Sequence, residues 1–246
     1  MREFDENPHF LTPDPAVLEQ IAEIAVNTSQ GIHDMHDFMS GKNSSLGARA
    51  ESHPAFGMVF KTGEISFFFG GKLIKLPVYA AWNSQGISYG ALVKWTFPNS
   101  EETHYDIIFN GKMKKREQAP ERLRAVLYHE TVHAMQYLAE SWRRGRGPEA
   151  QTAGVEAYLT SYPETDAWLL TITQIILENA RTANAKKAIA VNIENDDMEA
   201  FTAPRWGLPV SERNALEYYL ADDNLRQVFK NMLWYALQEE NLNEPV

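Results

Sequence analysis

Residues 119–142 read APERLRAVLYHETVHAMQYLAESW. Pro120 and Glu121 suit the first turn of a helix, because proline lacks the amide hydrogen that this turn leaves unpaired and a carboxylate is favoured at the positive end of the helix dipole. Two arginines and a glycine at 143 to 145 suit the last turn and its cap. The stretch is therefore predicted to form one helix over residues 119 to 142.

This predicted helix carries the pattern HExxH in His129, Glu130 and His133. Two histidines four residues apart project from the same helix face, so their imidazoles can converge on one metal ion while Glu130 points toward the same cleft. The neighbours Val126 and Leu127 indicate a buried helix, and buried polar groups need partners. The pattern predicts a metal site with both histidines as ligands. The alternative is a solvated helix face on which these side chains are merely polar.

A catalytic zinc site generally has a third protein ligand and leaves a fourth position to water. The chain has no cysteine, so this ligand is expected to be His, Asp or Glu. A turn near Gly145 would fold a second helix, at 147 to 163, back along the first, and Glu156 would then lie within roughly 1.5 Å of the height of His133. Glu156 is the predicted third ligand. Two later carboxylates and a distant histidine stay open as alternatives, the carboxylates being Glu164 and Asp166.

The motif at 129–133, followed by Glu156-Ala157 on a later helix, resembles the gluzincin branch of the zincin metallopeptidases. The resemblance spans roughly residues 103 to 160. It includes the predicted strand HYDIIF at 104–109, which is similar to the edge strand against which zincins align their substrate. The chain lacks the metzincin pattern, because Gln136 and Ala139 stand where that branch has Gly and His.

The resemblance implies zinc-dependent hydrolysis of a peptide bond in a protein or peptide substrate. One Zn²⁺ ion would be held by His129, His133 and Glu156, and Glu130 would be the general base that takes a proton from a zinc-activated water. Three residues are open as the donor to the oxyanion by position alone: Tyr158, Tyr162 and His104. The alternative function is a catalytically inactive zincin-like binding or structural domain, which would have no need of Glu130 as a base.

The sequence before the HExxH helix changes from one helix to strands. Residues 14 to 27 have helical spacing of apolar side chains, whereas the polar stretch from 31 to 54 is predicted to be a long loop. From 57 to 110, short β-branched and aromatic runs alternate with turn-forming sequences such as Gly70-Gly71, which predicts an antiparallel meander of about five strands.

The remaining sequence is predicted to be mainly helical, with helices at 165 to 185, 211 to 221 and 223 to 240. The fold class is therefore α+β, a small antiparallel sheet followed by a helical half that contains a zincin-like active-site helix. A single domain is expected over residues 1–246, with the N-terminal helix and the sheet in 1–117 and the helical part in 118–246.

Composition limits the partners and the location of the protein. The chain has 23 Lys and Arg against 33 Asp and Glu, a formal charge of -10, which argues against general binding of nucleic acid or anionic lipid. No stretch is apolar for long enough to span a membrane or to act as a signal peptide. We therefore expect a soluble, cytoplasmic protein, and export without a leader stays open.

Two further groups of residues could be functional or could simply be solvated side chains. The basic runs at 112–116 and 143–146 could serve a nucleic-acid-associated factor, but charge clusters at helix ends are usually solvated. His33 and His36 could bind metal, although in a polar loop they are expected to be solvated. The oligomeric state is not evident from the sequence.

Overall fold

The computed structural model describes residues 13–84, 86, 87, 89–96, 103–139 and 162–243. The chain divides into two compact units, residues 1–142 and 143–246. It combines helices with a five-stranded sheet, so the predicted α+β class is confirmed. That the whole chain forms a single domain stays a prediction.

The first unit begins with helix α1, Pro15–Met39. Asp14 caps this helix, because its carboxylate accepts a hydrogen bond of 2.8 Å from the amide of Ala16, a group that has no partner within the helix. The helix continues well past residue 27, where it was predicted to end. The loop predicted over 31 to 54 is therefore wrong, since that stretch contains the rest of α1, a 3₁₀ turn and a strand.

Close packing against the sheet explains why α1 continues. Ile32 and Met35 are fully buried, although polar residues surround them in the sequence. Gly31 brings the helix close to the sheet, because a Cβ at this position would lie 2.6 Å from Cγ2 of Thr62. The contribution of this packing outweighs the low helix propensity of glycine.

The sheet of the first unit is mixed. Its strands are β1 (Ala50–His53), β2 (Gly57–Phe69), β3 (Lys72–Ala81), β4 (Gly90–Thr96) and β5 (Thr103–Asn110). Their order is β1-β2-β3-β5-β4, and β3 pairs with β5 in parallel whereas the other pairs are antiparallel.

The predicted antiparallel meander is therefore wrong in two respects. The runs GMVFK at 57–61 and EISFFF at 64–69, each predicted as a separate strand, belong to the single strand β2, which has an irregular register between Lys61 and Gly63. The run HYDIIF forms β5, which lies inside the sheet between β3 and β4. Its residues 106–109 are all buried, as expected for an interior strand that is covered on both faces.

Helices α1 and α2 cover one face of this sheet. Helix α2, Pro120–Leu138, begins where the sequence predicts and contains the HExxH residues. It approaches β4 closely, because a Cβ on Gly90 would lie 2.8 Å from Cγ1 of Val126. The ring of Tyr105 in β5 packs against Tyr137 of α2, with centroids 5.5 Å apart. Since side chains alternate along a strand, His104 and Asp106 belong to the opposite face.

The second unit is helical in the residues that the structure describes. Its helices are α3 (Tyr162–Asn179), α4 (Ala183–Glu194), α5 (Val210–Leu220) and α6 (Asp223–Asn243). The helices predicted at 211 to 221 and 223 to 240 are confirmed. The one predicted at 165 to 185 is two helices, because Thr182 caps a new one by accepting a hydrogen bond of 3.2 Å from the amide of Ala185.

Helix α3 packs against α5 and α6 around a core of fully buried apolar side chains: Leu169, Ile172, Ile176, Leu216, Phe229 and Leu233. The helix predicted at 147 to 163 falls mostly outside the described residues. Of the helices that the structure describes, none has the combination of length and apolar composition needed to cross a bilayer.

Candidate metal centre

Helix α2 brings the two motif histidines together. His129 and His133 are 7% and 4% exposed, and their Nε2 atoms lie 3.0 Å apart. The two rings are perpendicular, with centroids 4.5 Å apart. The prediction that both side chains share one face of a buried helix is confirmed.

The separation of these nitrogen atoms suits a shared metal ion. Two nitrogen ligands at about 2.0–2.1 Å from a tetrahedral zinc ion are about 3.3 Å apart. A bound ion would therefore need only a few tenths of an ångström of movement from the observed 3.0 Å between the Nε2 atoms of His129 and His133. The two imidazoles are therefore spaced so that they can bind one metal ion.

Glu164 lies in the first turn of α3 and is 6% exposed. In the second unit its negative charge acts on Tyr219, whose pKa is raised first by burial and then by Glu164. A buried carboxylate is costly without a partner that stabilises its charge.

His129 and His133 in the first unit and Glu164 in the second each offer one atom that could bind a metal ion. All three residues are buried, so water competes little for the ligand atoms. Two imidazoles and one carboxylate are the ligand set of a known class of catalytic zinc site.

Glu130, the remaining motif residue, is held by the edge of the sheet. Its Oε2 accepts a hydrogen bond of 2.8 Å from the peptide amide of Leu92 in β4. Just before β4, the carbonyl of Tyr89 accepts a hydrogen bond from the amide of Asn110 at the end of β5. Backbone groups alternate between the two sides of an antiparallel strand, so the odd-numbered residues of β4 direct theirs toward β5. Leu92, an even-numbered residue, therefore directs its amide away from β5. The edge strand beside the HExxH helix is therefore β4, and the prediction that HYDIIF forms this edge is wrong.

Gln136 is a site residue that the sequence did not single out for a role. Its Oε1 lies 2.8 Å from Nδ1 of His133, and the residue is 3% exposed. Its spacing in the sequence could have indicated this contact, because a residue three positions after a histidine lies on the same helix face.

The other predicted site residues have varied positions. Glu156 and Tyr158 lie outside the described residues, as does the side chain of Tyr162. His104 stacks on Trp95 with centroids 4.6 Å apart, on the sheet face opposite α2, which disfavours it as a donor to an oxyanion beside His129 and His133.

The additional histidines and basic runs show no common site among the described residues. His33 and His36 belong to α1, where the ring of His36 packs edge-on against Trp82. The ammonium of Lys112 lies over the same Trp82 ring, 5.2 Å from its centroid, and Arg116 is paired with Glu117 at 3.9 Å. The basic run at 143–146 lies outside the described residues.

Comparisons with known proteins give no family for this chain. No protein-family model matches it, and no curated protein and no solved structure shows significant similarity to it.

Proposed function

We propose that the protein is a zinc-dependent peptidase that hydrolyses peptide bonds in protein or peptide substrates. The observation that carries this proposal is the buried pair of His129 and His133 on the HExxH helix, whose Nε2 atoms lie 3.0 Å apart. The glutamate between the histidines, Glu130, supplies a carboxylate next to this pair.

The donor set favours zinc. Two imidazoles and a carboxylate suit Zn²⁺ in a four-coordinate site with one open position, and the absence of cysteine leaves no thiolate alternative. A zinc ion bound there would supply a Lewis acid that polarises a carbonyl and acidifies water. A purely structural zinc site has four protein ligands and needs no adjacent base.

Glu130 is the proposed general base. The amide of Leu92, 2.8 Å from its Oε2, donates a hydrogen bond that stabilises the charged carboxylate and limits its rotation. In this position Glu130 would accept a proton from the attacking water and deliver it to the leaving amine. In the sheet that the structure describes, β4 is an outer strand, and its outer edge is the proposed surface along which an extended substrate would pair.

Glu164 is the proposed third ligand. It was one of the alternatives to Glu156 in the sequence, and it is a buried carboxylate, whose charge a metal ion would stabilise. Glu156 as the third ligand stays a prediction. If Glu164 is the ligand, substituting Glu164 should weaken metal binding, whereas if Glu156 is the ligand, substituting Glu156 should do so.

The test is zinc content by elemental mass spectrometry, combined with hydrolysis of a denatured mixed-protein substrate. Wild type is expected to carry one zinc ion and to cleave. His133→Ala should lose both properties, whereas Glu130→Gln should keep the metal and lose about 10²- to 10⁴-fold in rate, the usual contribution of a general base. Zinc without hydrolysis in wild type would support the inactive binding domain instead. If wild type takes up no zinc after reconstitution, the proposal is wrong.

A further inference from the structure

The tautomer of His133 decides whether its Nε2 can bind a metal. A neutral imidazole carries its proton on one ring nitrogen and accepts at the other. The Nδ1 atom of His133 lies 2.8 Å from Oε1 of Gln136. An amide oxygen only accepts hydrogen bonds, so Nδ1 must carry the proton and Nε2 must present its lone pair.

We infer that Gln136 is a positioning residue, which fixes the tautomer and the ring orientation of His133 for metal binding. The ring and the amide are 4% and 3% exposed, so water cannot easily replace this hydrogen bond. Both residues lie on α2 three positions apart, where the helix backbone sets the distance between them. A hydrogen bond from a ligating histidine to a second residue commonly has this role in metal sites.

The same tautomer accounts for the contact between the two histidines. Because Nε2 of His133 carries a lone pair, the Nε2 atom of His129, 3.0 Å away, must be the donor in the metal-free protein. The perpendicular arrangement of the rings allows this N–H to point at the lone pair of the other ring. Gln136 therefore sets the direction of the hydrogen bond within the pair.

Two variants of Gln136 distinguish the effect of losing the hydrogen-bond acceptor from the effect of changing the length of the side chain. Gln136→Met keeps the length of the side chain but has no oxygen acceptor, whereas Gln136→Glu keeps an acceptor. Gln118→Met is the matched control, because Gln118 donates to the carbonyl of Met113 over 2.8 Å and has no hydrogen bond to either motif histidine among the bonds described.

Two measurements are made on each protein. Long-range ¹⁵N–¹H NMR of the metal-free protein identifies which nitrogen of His133 is protonated. Competition with a chromophoric chelator gives the affinity for Zn²⁺. The second measurement rests on the proposed function, because it requires that the site binds zinc, whereas the first does not.

The expected result is a protonated Nδ1 on His133 in wild type and a mixture of tautomers in Gln136→Met. The zinc affinity of Gln136→Met should be about 10- to 100-fold lower, with recovery in Gln136→Glu and no change in Gln118→Met. Protonation of wild-type His133 at Nε2, or a wild-type tautomer and affinity in Gln136→Met, would overturn the inference. If wild type binds no zinc, the proposed function fails, and the NMR result alone decides whether Gln136 sets the tautomer.

Discussion

The peptide amide of Leu92 donates a hydrogen bond of 2.8 Å to the carboxylate of Glu130, and this bond links the outer edge of β4 to the HExxH helix. Backbone groups in an antiparallel strand alternate between the two sides, so only every second residue of β4 can direct its amide toward the helix. The general base proposed for the reaction is therefore held by a backbone group, whose position depends on the register of the sheet.

Replacing Leu92 with proline should remove this bond and slow hydrolysis. Proline lacks the amide hydrogen but is tolerated on an edge strand where that hydrogen points away from the sheet. A hydrogen bond to a charged group contributes about 1.5–3 kcal/mol, so we expect a rate loss of about 10- to 100-fold. The zinc content of Leu92→Pro should equal that of wild type, as measured by elemental mass spectrometry.

Two controls accompany this variant. Leu92→Ala shortens the side chain but keeps the amide, and should retain most of the activity. Val93→Pro removes an amide that faces β5 and should destabilise the sheet. A wild-type rate in Leu92→Pro would show that the bond to Glu130 has no part in the reaction.

The third metal ligand can be identified by comparing two glutamates. Glu164→Gln replaces the buried carboxylate that is proposed as the third ligand by a weaker neutral ligand. Its affinity for Zn²⁺ should fall by at least about 100-fold, because losing a metal ligand costs at least as much affinity as losing a residue that only hydrogen-bonds to a ligand. Glu156→Gln should bind zinc like wild type. The opposite pattern would establish Glu156 as the ligand and exclude Glu164.

The local part of the candidate site could be predicted from the sequence. His129 and His133 are four residues apart on one helix, and the helix geometry alone brings them together. Gln136 belongs to the same helix face, and its role could have been proposed from the same spacing. The start of α2 followed from Pro120, whose fixed backbone angle suits the first turn.

The non-local part could not be predicted. The hydrogen bond from Leu92 to Glu130 depends on the parallel pairing of β3 with β5, which places β4 at the edge. The short apolar run at the end of HYDIIF, residues 107–109, does not by itself distinguish an inner strand from an edge strand. Likewise, the continuation of α1 depends on contact between Gly31 and Thr62, residues far apart in the sequence.

Loss of the Asp106 carboxylate should destabilise the sheet. Asp106 Oδ2 lies 2.9 Å from Nε2 of His53 and also accepts a hydrogen bond from the indole of Trp95. Because the amide of Ala55 donates to Nδ1 of His53, the proton of the neutral ring must be on Nε2. Asp106→Ala would remove the carboxylate oxygen that accepts hydrogen bonds from His53 and Trp95 in a mostly buried part of the sheet, so we expect a loss of about 3 kcal/mol in the free energy of unfolding.

The matched variant is Asp106→Asn, whose amide oxygen can still accept one of these hydrogen bonds. Its loss in urea unfolding should be about half of that of Asp106→Ala. Both variants should keep wild-type zinc content, because Asp106 lies on the sheet face opposite α2. Equal stability of Asp106→Ala and wild type would mean that the carboxylate contributes nothing to the fold.

Tyr79, on the same sheet face, should make stability depend on alkaline pH. Burial raises its pKa to about 12, with smaller contributions from the negative charges of Asp106, Glu51 and Glu64. Between the ordinary tyrosine pKa of about 10 and this value, the folded state keeps a proton that the unfolded state has lost. Folding is therefore favoured less as the pH rises through this range, because the unfolded state binds fewer protons.

Urea unfolding of Tyr79→Phe should show a weaker decline in stability over the same range, and phenolate absorbance should show one fewer group that ionises near pH 12. Asp106→Asn should lower the pKa of Tyr79, because it removes one of the charges that raise it. An unchanged decline in Tyr79→Phe would mean that other groups cause the alkaline loss of stability.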